Sequence, residues 1–469
     1  MKPILIQALL LTCVLLHCVD AAERPNFIIF VADDMAYNDC GAYGHDKIRT
    51  PNIDSLAQEG MRFDRAYLTC SSCSPSRCSM LTGRYPHNTG AGELHLPLPK
   101  EQTLLTTPLR DAGYWTAAVG KWHLGNAVTE QVDYIKASPP QNMGRAWVTA
   151  LNERDKSKPF FLWAAHSDPH RAYQPGAIDP PHSSADVRVP SFLPDTPTVR
   201  EDLALYYDEI GRFDKHIGET LAELDRQGLT ENTFVLVISD NGRPFPYCKT
   251  MVHVPGVRTP FVVRWPGKVK TGSTTEAVVS TLDIAPTVLE LAGLKPLSSF
   301  QGVSLKTVLT GDETGDAHRQ PREFAFAEHN WHDYRAFERG VHSKQYCYVR
   351  NWLPTTPGTP PADAVKSPTF AEMKRQRDAG TLTAIQETTT FAVPRSEEFL
   401  YDVEADPECV FNLAGIESHS DTLAMMRSAL EQWQKDTADA FPGEDKISPD
   451  GFDRSTGDRT MKKSHPTFQ

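Results

Sequence analysis

Two apolar patterns alternate along this chain. Residues 26–32, Asn-Phe-Ile-Ile-Phe-Val-Ala, form an almost unbroken apolar run that ends at Asp33 and Asp34. A run this short, bounded by polar residues, predicts a strand buried on both faces. Residues 159–165 and 233–239 read the same way, and the second again ends in polar residues, Asp240, Asn241 and Gly242. Between such runs the period changes to that of a helix. Within residues 203–224, Ile210, Phe213, Ile217, Leu221 and Leu224 share one helical face. Thr50 followed by Pro51 predicts a helix start that runs to Gly60, and residues 282–291 form a further helix begun near Thr281. Strands alternating with helices predict an open α/β sheet flanked by helices. Its ligands belong beyond the carboxyl ends of the strands.

The pattern shifts after residues 310–325, which are polar and charged. Short strands are expected at residues 324–327, 345–349 and 399–402, and a helix at 418–433. Residues 352–368, rich in Pro and Thr, read as a loop. This predicts a smaller α+β unit. The expected organisation is a leader at 1–22, a large α/β domain at 23–315, a smaller C-terminal domain at 316–440 and an irregular tail at 441–469.

The chain has 469 residues and a net charge of -12. Lys2, an apolar run over residues 4–16 and the small residues Ala21 and Ala22 read as a secretory leader. Export to a periplasm or beyond the cell is expected; the weak lipoprotein-like box ending at Cys18 keeps a lipid-anchored form open. No later run is apolar enough to span a bilayer. The acidic balance argues against nucleic acid as a partner, so an anionic substrate needs a local basic pocket. No Asn-x-Ser/Thr triplet occurs, which leans towards bacterial export over a glycosylated animal protein. Nine cysteines are present, two of them in the leader, at spacings that fit no zinc site.

Candidate chemistry gathers at the predicted strand ends. Asp33 and Asp34 end one strand, and Asp240 and Asn241 follow another. Four hard oxygen donors without His or Cys beside them suit Ca²⁺ or Mg²⁺ better than Zn²⁺. Lys121 and His123 stand two apart between Gly120 and Gly125. His166 and His170 follow the run at 159–165, and a histidine at such a strand end is placed to protonate a leaving oxygen or nitrogen. The stretch after Pro75 reads as a helix start, whose free N–H groups favour an anion. Polar groups around Trp331, namely His329, His332 and Asp333, suit a saccharide.

Cys73-Ser74-Pro75-Ser76-Arg77, followed by Thr82-Gly83-Arg84, resembles the signature of the type I sulfatases of the alkaline-phosphatase superfamily. The segments at 120–125, 166–171 and 240–249 extend that resemblance over residues 24–435. Ser71 to Arg77, Asp168-Pro169-His170-Arg171, residues 189–197, residues 240–246 and Ser367-Pro368-Thr369-Phe370 are similar to the sulfamidase branch, the N-sulfoglucosamine sulfohydrolases. Two departures stand near the expected substrate rim. Ser167 replaces the usual first histidine, and the segment between Arg171 and Val189 is short.

The resemblance implies a mixed, mostly parallel sheet of the alkaline-phosphatase type. It implies conversion of Cys73 to formylglycine by a formylglycine-generating enzyme, and Ca²⁺ held by Asp33, Asp34, Asp240, Asn241 and residue 73. It gives Arg77, Lys121, His123 and Lys249 contacts to sulfate, the nucleophile or the leaving group. It favours His170 over His166 as leaving-group acid. With Cys73 converted, six cysteines remain outside the leader, enough for up to three disulfides. The expected activity is hydrolysis of N- or O-sulfate from sulfated saccharides, with the oligomeric state left open. The competing readings are an O-sulfatase on a marine or host polysaccharide, a phosphoesterase of the same superfamily and a non-catalytic glycan-binding protein. The phosphoesterases carry Ser or Thr as nucleophile and a His-rich two-zinc site, and this chain has neither pattern.

Overall fold

The computed structural model describes residues 24–311 and 320–460. The leader expected at 1–22 lies outside the described residues. Twelve strands are present among them: β1 Asn26–Ala32, β2 Met61–Tyr67, β3 Trp115–Gly120, β4 Tyr134–Lys136, β5 Phe160–Ala165, β6 Thr233–Ser239, β7 Phe261–Arg264, β8 Ser273–Ser280, β9 Ala325–His329, β10 Glu338–His342, β11 Tyr346–Asn351 and β12 Glu398–Asp402. The first eight make one sheet in the order β4-β3-β5-β1-β6-β7-β2-β8. It is mostly parallel: only β7 runs antiparallel to its neighbours β6 and β2.

The unbroken apolar runs have a direct cause. In β1, Phe27, Ile29 and Val31 enter one core, while Ile28, Phe30 and Ala32 enter another on the opposite face. β5 and β6 divide the same way, so the interior positions of a central strand must be apolar, and the polar Asn26, Thr233 and Ser239 stand only at strand ends. One face is covered by helices that include Cys73–Thr82 and Ile284–Leu291, the other by Met143–Glu153 and Pro197–Arg226.

The expected elements at 26–32, 159–165 and 233–239 are β1, β5 and β6 almost residue for residue. The helix read at 203–224 is longer. Thr196 caps it, accepting from the Val199 N–H at 3.4 Å, and Pro197 fills its first turn. That is the Thr-Pro signal also present at Thr50-Pro51. The helix near Thr281 begins with a 3-10 turn, Thr281–Asp283, before Ile284–Leu291.

The smaller unit is an antiparallel sheet in the order β12-β11-β10-β9. The helix Ser420–Thr437 covers one face through Leu423, Met426, Leu430 and Trp433. The other face, with Cys347, Val349 and Tyr401, joins the large core. Residues 352–368 are not wholly irregular: Ala362–Val365 is a helical turn, and Pro368–Asp378 begins a helix that packs on Pro197–Arg226. Residues 441–460 carry no strand and only the 3-10 turn Glu444–Lys446, yet residues 448–460 fold back onto the molecule. Trp331 Nε1 donates to the Pro449 carbonyl and the Gly451 N–H to the Asp333 carbonyl, each at 2.7 Å. All seven described cysteines are buried free thiols, so none of the disulfides allowed for by the cysteine count is present among the described residues.

Phe30, fully buried with its ring 5.3 Å from that of Trp147, sits at the centre of this arrangement. Phe30→Ala is expected to lower unfolding free energy by about 3–5 kcal/mol, read as a drop in melting temperature.

Candidate active site

The four central strands of the order β3-β5-β1-β6 are parallel, so their carboxyl ends lie side by side. β3 delivers Lys121 and His123, β5 leads to His170, β1 delivers Asp33 and Asp34, and β6 delivers Asp240 and Asn241. β1 and β6 pair in register up to Ala32 and Ser239, which sets the two acidic pairs next to one another. Carboxylate oxygens of Asp33, Asp34 and Asp240 lie within 4.8 Å of one another.

Cys73 opens the helix Cys73–Thr82, two residues earlier than the start expected after Pro75. Its Sγ accepts from Asn241 Nδ2 at 3.1 Å and stands 3.7 Å from Asp33 Oδ1. One turn on, Arg77 is fully buried: Nε donates to Asp240 Oδ2 at 2.7 Å and Nη1 to the Lys121 carbonyl at 2.7 Å. Lys121 pairs with Asp33 at 2.5 Å and Lys249 with Asp34 at 2.7 Å. Each buried carboxylate thus has its own cation. Lys249 is held by its loop: its N–H donates to the Arg243 carbonyl, and Arg243 clamps Asp39 with two bonds at 2.5 and 2.6 Å.

These charges shift one another. Burial alone would raise Asp33, but Lys121, His170, Arg77 and Lys249 outweigh it and hold the carboxyl well below its usual range. Burial, only partly offset by Arg77, lifts Asp240 to about 6. Burial pushes the Cys73 thiol up to about 12. His123 is driven well below its usual value by burial and by Lys121, and His95 falls to about 4 by burial, Lys121 and Lys249.

Cys73, Lys121, His123, His170, Lys249, His332 and Asp333 line one cavity of about 680 Å³. His170 Nδ1 donates to the Arg171 carbonyl at 2.6 Å, and Nε2 lies 3.9 Å from Asp34 and 3.6 Å from Asp363. His166 is elsewhere. It is fully buried; its Nδ1 accepts from the Asp168 N–H at 2.8 Å, and its Nε2 meets His216 at 3.0 Å. Burial and Arg212 hold it down to about 3, so it is neutral at ordinary pH. His332 Nδ1 contacts Ser72 Oγ at 2.7 Å, which ties the smaller unit to the residue before Cys73.

His329 does not share the cavity expected for it. It is the last residue of β9 and lines a separate, smaller hollow with Glu338 and Arg395, which His332, on the turn that follows, lines from its other side. Residues that sequence reasoning passed over also line the main cavity: Leu94, His95, Ala362, Asp363, Lys366, Phe452 and Gly457. Asp363 and Lys366 fall in the stretch read as a loop, and Phe452 and Gly457 in the tail, where no periodicity marks them. His95 Nδ1 meets His123 Nε2 at 2.5 Å, and its N–H donates to Ser74 Oγ at 2.7 Å. Asp34, His95, His123 and Asp333 all have positive φ. Four non-glycine residues in left-handed backbone around one cavity store strain of about 1–3 kcal/mol each, a pattern that clusters at functional sites.

The cavity defines the class: fixed cations and a carboxylate cluster around one buried side chain suit a hydrolase of anionic esters. Residues 25–294 match the family described as Sulfatase, and residues 245–357 match N-sulphoglucosamine sulphohydrolase, C-terminal. The chain is 31% identical to human N-sulphoglucosamine sulphohydrolase over 476 residues, covering 92% of this chain and 93% of that one. It is 28% identical to an ulvan-active sulfatase of Formosa agariphila over 469 residues, covering 88% and 75%. A solved structure of a protein with its substrate D-glucosamine-2-N,6-O-disulfate shares the fold, with a TM-score of 0.69 at 21% identity over 90% of this chain and 100% of that one. The chain belongs to the sulfatase family and is a hydrolase of sulfate esters or sulfamates. Among the described residues no helix is long and apolar enough to cross a membrane.

Removing Arg77 leaves Asp240 buried and unpaired. Arg77→Leu is expected to cost about 3–5 kcal/mol of stability, and Arg77→Leu combined with Asp240→Asn to recover part of that loss, both measured by thermal unfolding.

Proposed function

We propose that this sulfatase removes N- or O-linked sulfate from sulfated saccharides, with Cys73 converted to formylglycine and one Ca²⁺ held by Asp33, Asp34, Asp240, Asn241 and residue 73. The observation that carries the reading is the position of the Cys73 side chain, at the cavity floor beside Asn241 and Asp33 and flanked by the two paired lysines.

The donor set fits a hard cation. Three carboxylates converge, and the buried Asn241 Oδ1 has no hydrogen-bond partner. Turning that amide over would aim its oxygen at the point where the carboxylates meet. The thiol itself fits the nucleophile's role poorly. With its pKa near 12 it stays protonated at neutral pH. A hydrated formylglycine supplies one hydroxyl for attack on sulfur and a second whose deprotonation expels sulfate.

The chain's own residues then have separable tasks. Lys121 and Lys249 hold sulfate oxygens from either side and take up the charge that builds on them. Arg77 fixes Asp240, which accepts the proton of the attacking hydroxyl. His123, held neutral, serves the later expulsion of sulfate as base. His170 gives a proton to the leaving oxygen or nitrogen through Nε2, whereas His166 is engaged behind the site. His332 and Asp333 meet the sugar.

The human relative's name points to N-sulfated glucosamine, and the ulvan-active relative to sulfate on an algal polysaccharide. The leader read at residues 1–22 supports export, with modification by a formylglycine-generating enzyme during maturation.

Co-production with such an enzyme is expected to lower the mass of the Cys73 peptide by about 18 Da. Matured protein then releases sulfate from N-sulfoglucosamine or from an O-sulfated sugar, and Cys73→Ala releases none. An unshifted peptide together with inactivity on both sugars rejects the reading. Ca²⁺ at about 100 times its Kd should add about 2.7 kcal/mol of stability. Asp33→Asn should remove that gain in a melting scan.

A further inference from the structure

The C-terminal segment is attached to the rim of the cavity by more bonds than an irregular tail needs. Besides the Pro449 and Gly451 bonds, the Arg335 N–H donates to Asp450 Oδ1 at 2.8 Å and Tyr334 Oη to the Asp453 carbonyl at 3.2 Å. Arg454 donates to both oxygens of Asp450, at 2.6 and 2.8 Å. The segment closes on itself as well: Phe452 pairs with Arg459, and the Thr460 N–H donates to the Gly451 carbonyl at 2.9 Å. Four of these contacts reach the rest of the molecule, from Trp331, Asp333, Tyr334 and Arg335, and fall on one turn, which also carries His332. The wall and the polar contacts are therefore one rigid assembly.

Two residues of this loop face the cavity, Phe452 and Gly457. Gly457 has φ 71°, and a Cβ there would stand 2.7 Å from the Ala362 carbonyl, so glycine is what lets the loop lie against the turn bearing Asp363. On the far side Lys366, which also lines the cavity, pairs with Asp458 at 3.1 Å. The cavity is thus divided by chemistry. Cys73, Lys121 and Lys249 form the floor, and the half-buried Phe452 lines the mouth with Asp333, Asp363 and the exposed Lys366. A sulfate group needs only the floor. A ring bearing hydroxyls on its edge and C–H groups on its face needs the mouth, where carboxylates accept from hydroxyls and an aromatic face packs on C–H.

We propose that the loop at 448–460 is the specificity wall of the active site, with Phe452 packing against the face of the sugar that carries the sulfate. The proposal rests on the sulfatase reading above and adds a residue that selects the leaving group without entering the chemistry.

The test compares matured wild type, Phe452→Ala and Phe452→Tyr on N-sulfoglucosamine and on a flat aryl sulfate that has no sugar hydroxyls. Phe452→Ala is expected to lower the ratio of sugar to aryl kcat/KM about tenfold, mainly through sugar KM. Phe452→Tyr should keep that ratio within about twofold of wild type. An unchanged ratio in Phe452→Ala overturns the proposal, including the case where both substrates suffer equally because the loop has come loose. A second readout separates this failure from failure of the sulfatase reading. Binding of N-sulfoglucosamine to Cys73→Ala protein, followed by calorimetry, is expected to weaken about tenfold when Phe452→Ala is added. Equal affinity with and without the ring overturns the wall, whether or not the enzyme turns the sugar over.

Discussion

Three carboxylates forced into contact govern this molecule. Asp33, Asp34 and Asp240 are almost wholly buried and bring oxygens within 4.8 Å of one another. At an effective dielectric constant of about 20, two such charges repel by about 3 kcal/mol, and a carboxylate–ammonium contact attracts by about 6 kcal/mol. Each carboxylate meets two like charges and one dedicated cation, so the terms roughly cancel before desolvation is counted. Arg77, Lys121 and Lys249 are therefore structural necessities as well as chemical ones. The balance also explains why Asp33 is held low while Asp240 rises: Asp33 meets Lys121, His170, Arg77 and Lys249 at once, whereas burial dominates at Asp240. A further divalent charge at the meeting point, as proposed, would shift that balance and release the lysines towards an incoming anion.

The sheet makes this crowding unavoidable. β1 lies between β5 and β6, parallel to both and in register with β6 to its last residue. Whatever follows Ala32 must stand beside whatever follows Ser239. Sliding either strand by one residue would pull a terminal acid into the apolar core or push an apolar residue out of it, so their ends are fixed to within a residue. Cys73, the proposed nucleophile position, comes from outside the sheet, on the first turn of a wholly buried helix, and its neighbour Ser72 is tied to His332 of the smaller unit. Sheet, helix and second unit meet at one point.

How much of this was legible follows from where each signal resides. Strands with two buried faces announce themselves by unbroken apolar runs, and β1, β5 and β6 were readable with their terminal acids. β2, with Arg62, Asp64 and Arg65 among its residues, gives no such run, and β4 has only three residues. The start of Pro197–Arg226 was readable in principle from Thr196-Pro197, but its first turn is polar and hides the helical face. His329 ends β9 and His332 lies on the turn after it, so the two share the smaller hollow while only His332 also reaches the main cavity. Phe452, Gly457 and Asp363 carry no local mark at all. Their role is set by bonds to residues some thirty to more than a hundred positions away, such as Gly451 to Asp333 and Asp333 Oδ2 to the Ala362 N–H.

The net charge of -12 then acquires a meaning. A surface of that sign repels polyanions at long range, so capture of a sulfated chain cannot depend on a broad basic face. Attraction has to be short-range, from lysines that are themselves neutralised until something displaces their carboxylates. Such a floor binds any sulfate of the right size and discriminates poorly between the groups that carry it. Discrimination falls to the mouth, and there the fold supplies parts that the large sheet alone cannot: the His332–Asp333 turn, the helical turn bearing Asp363 and the loop bearing Phe452. Sulfate chemistry, on the proposed reading, belongs to the parallel strand ends and saccharide preference to the chain added after them. On the proposed reading, relatives with the same floor can act on different sulfated sugars, because the residues that would separate those sugars lie in segments free to change without disturbing the carboxylate cluster.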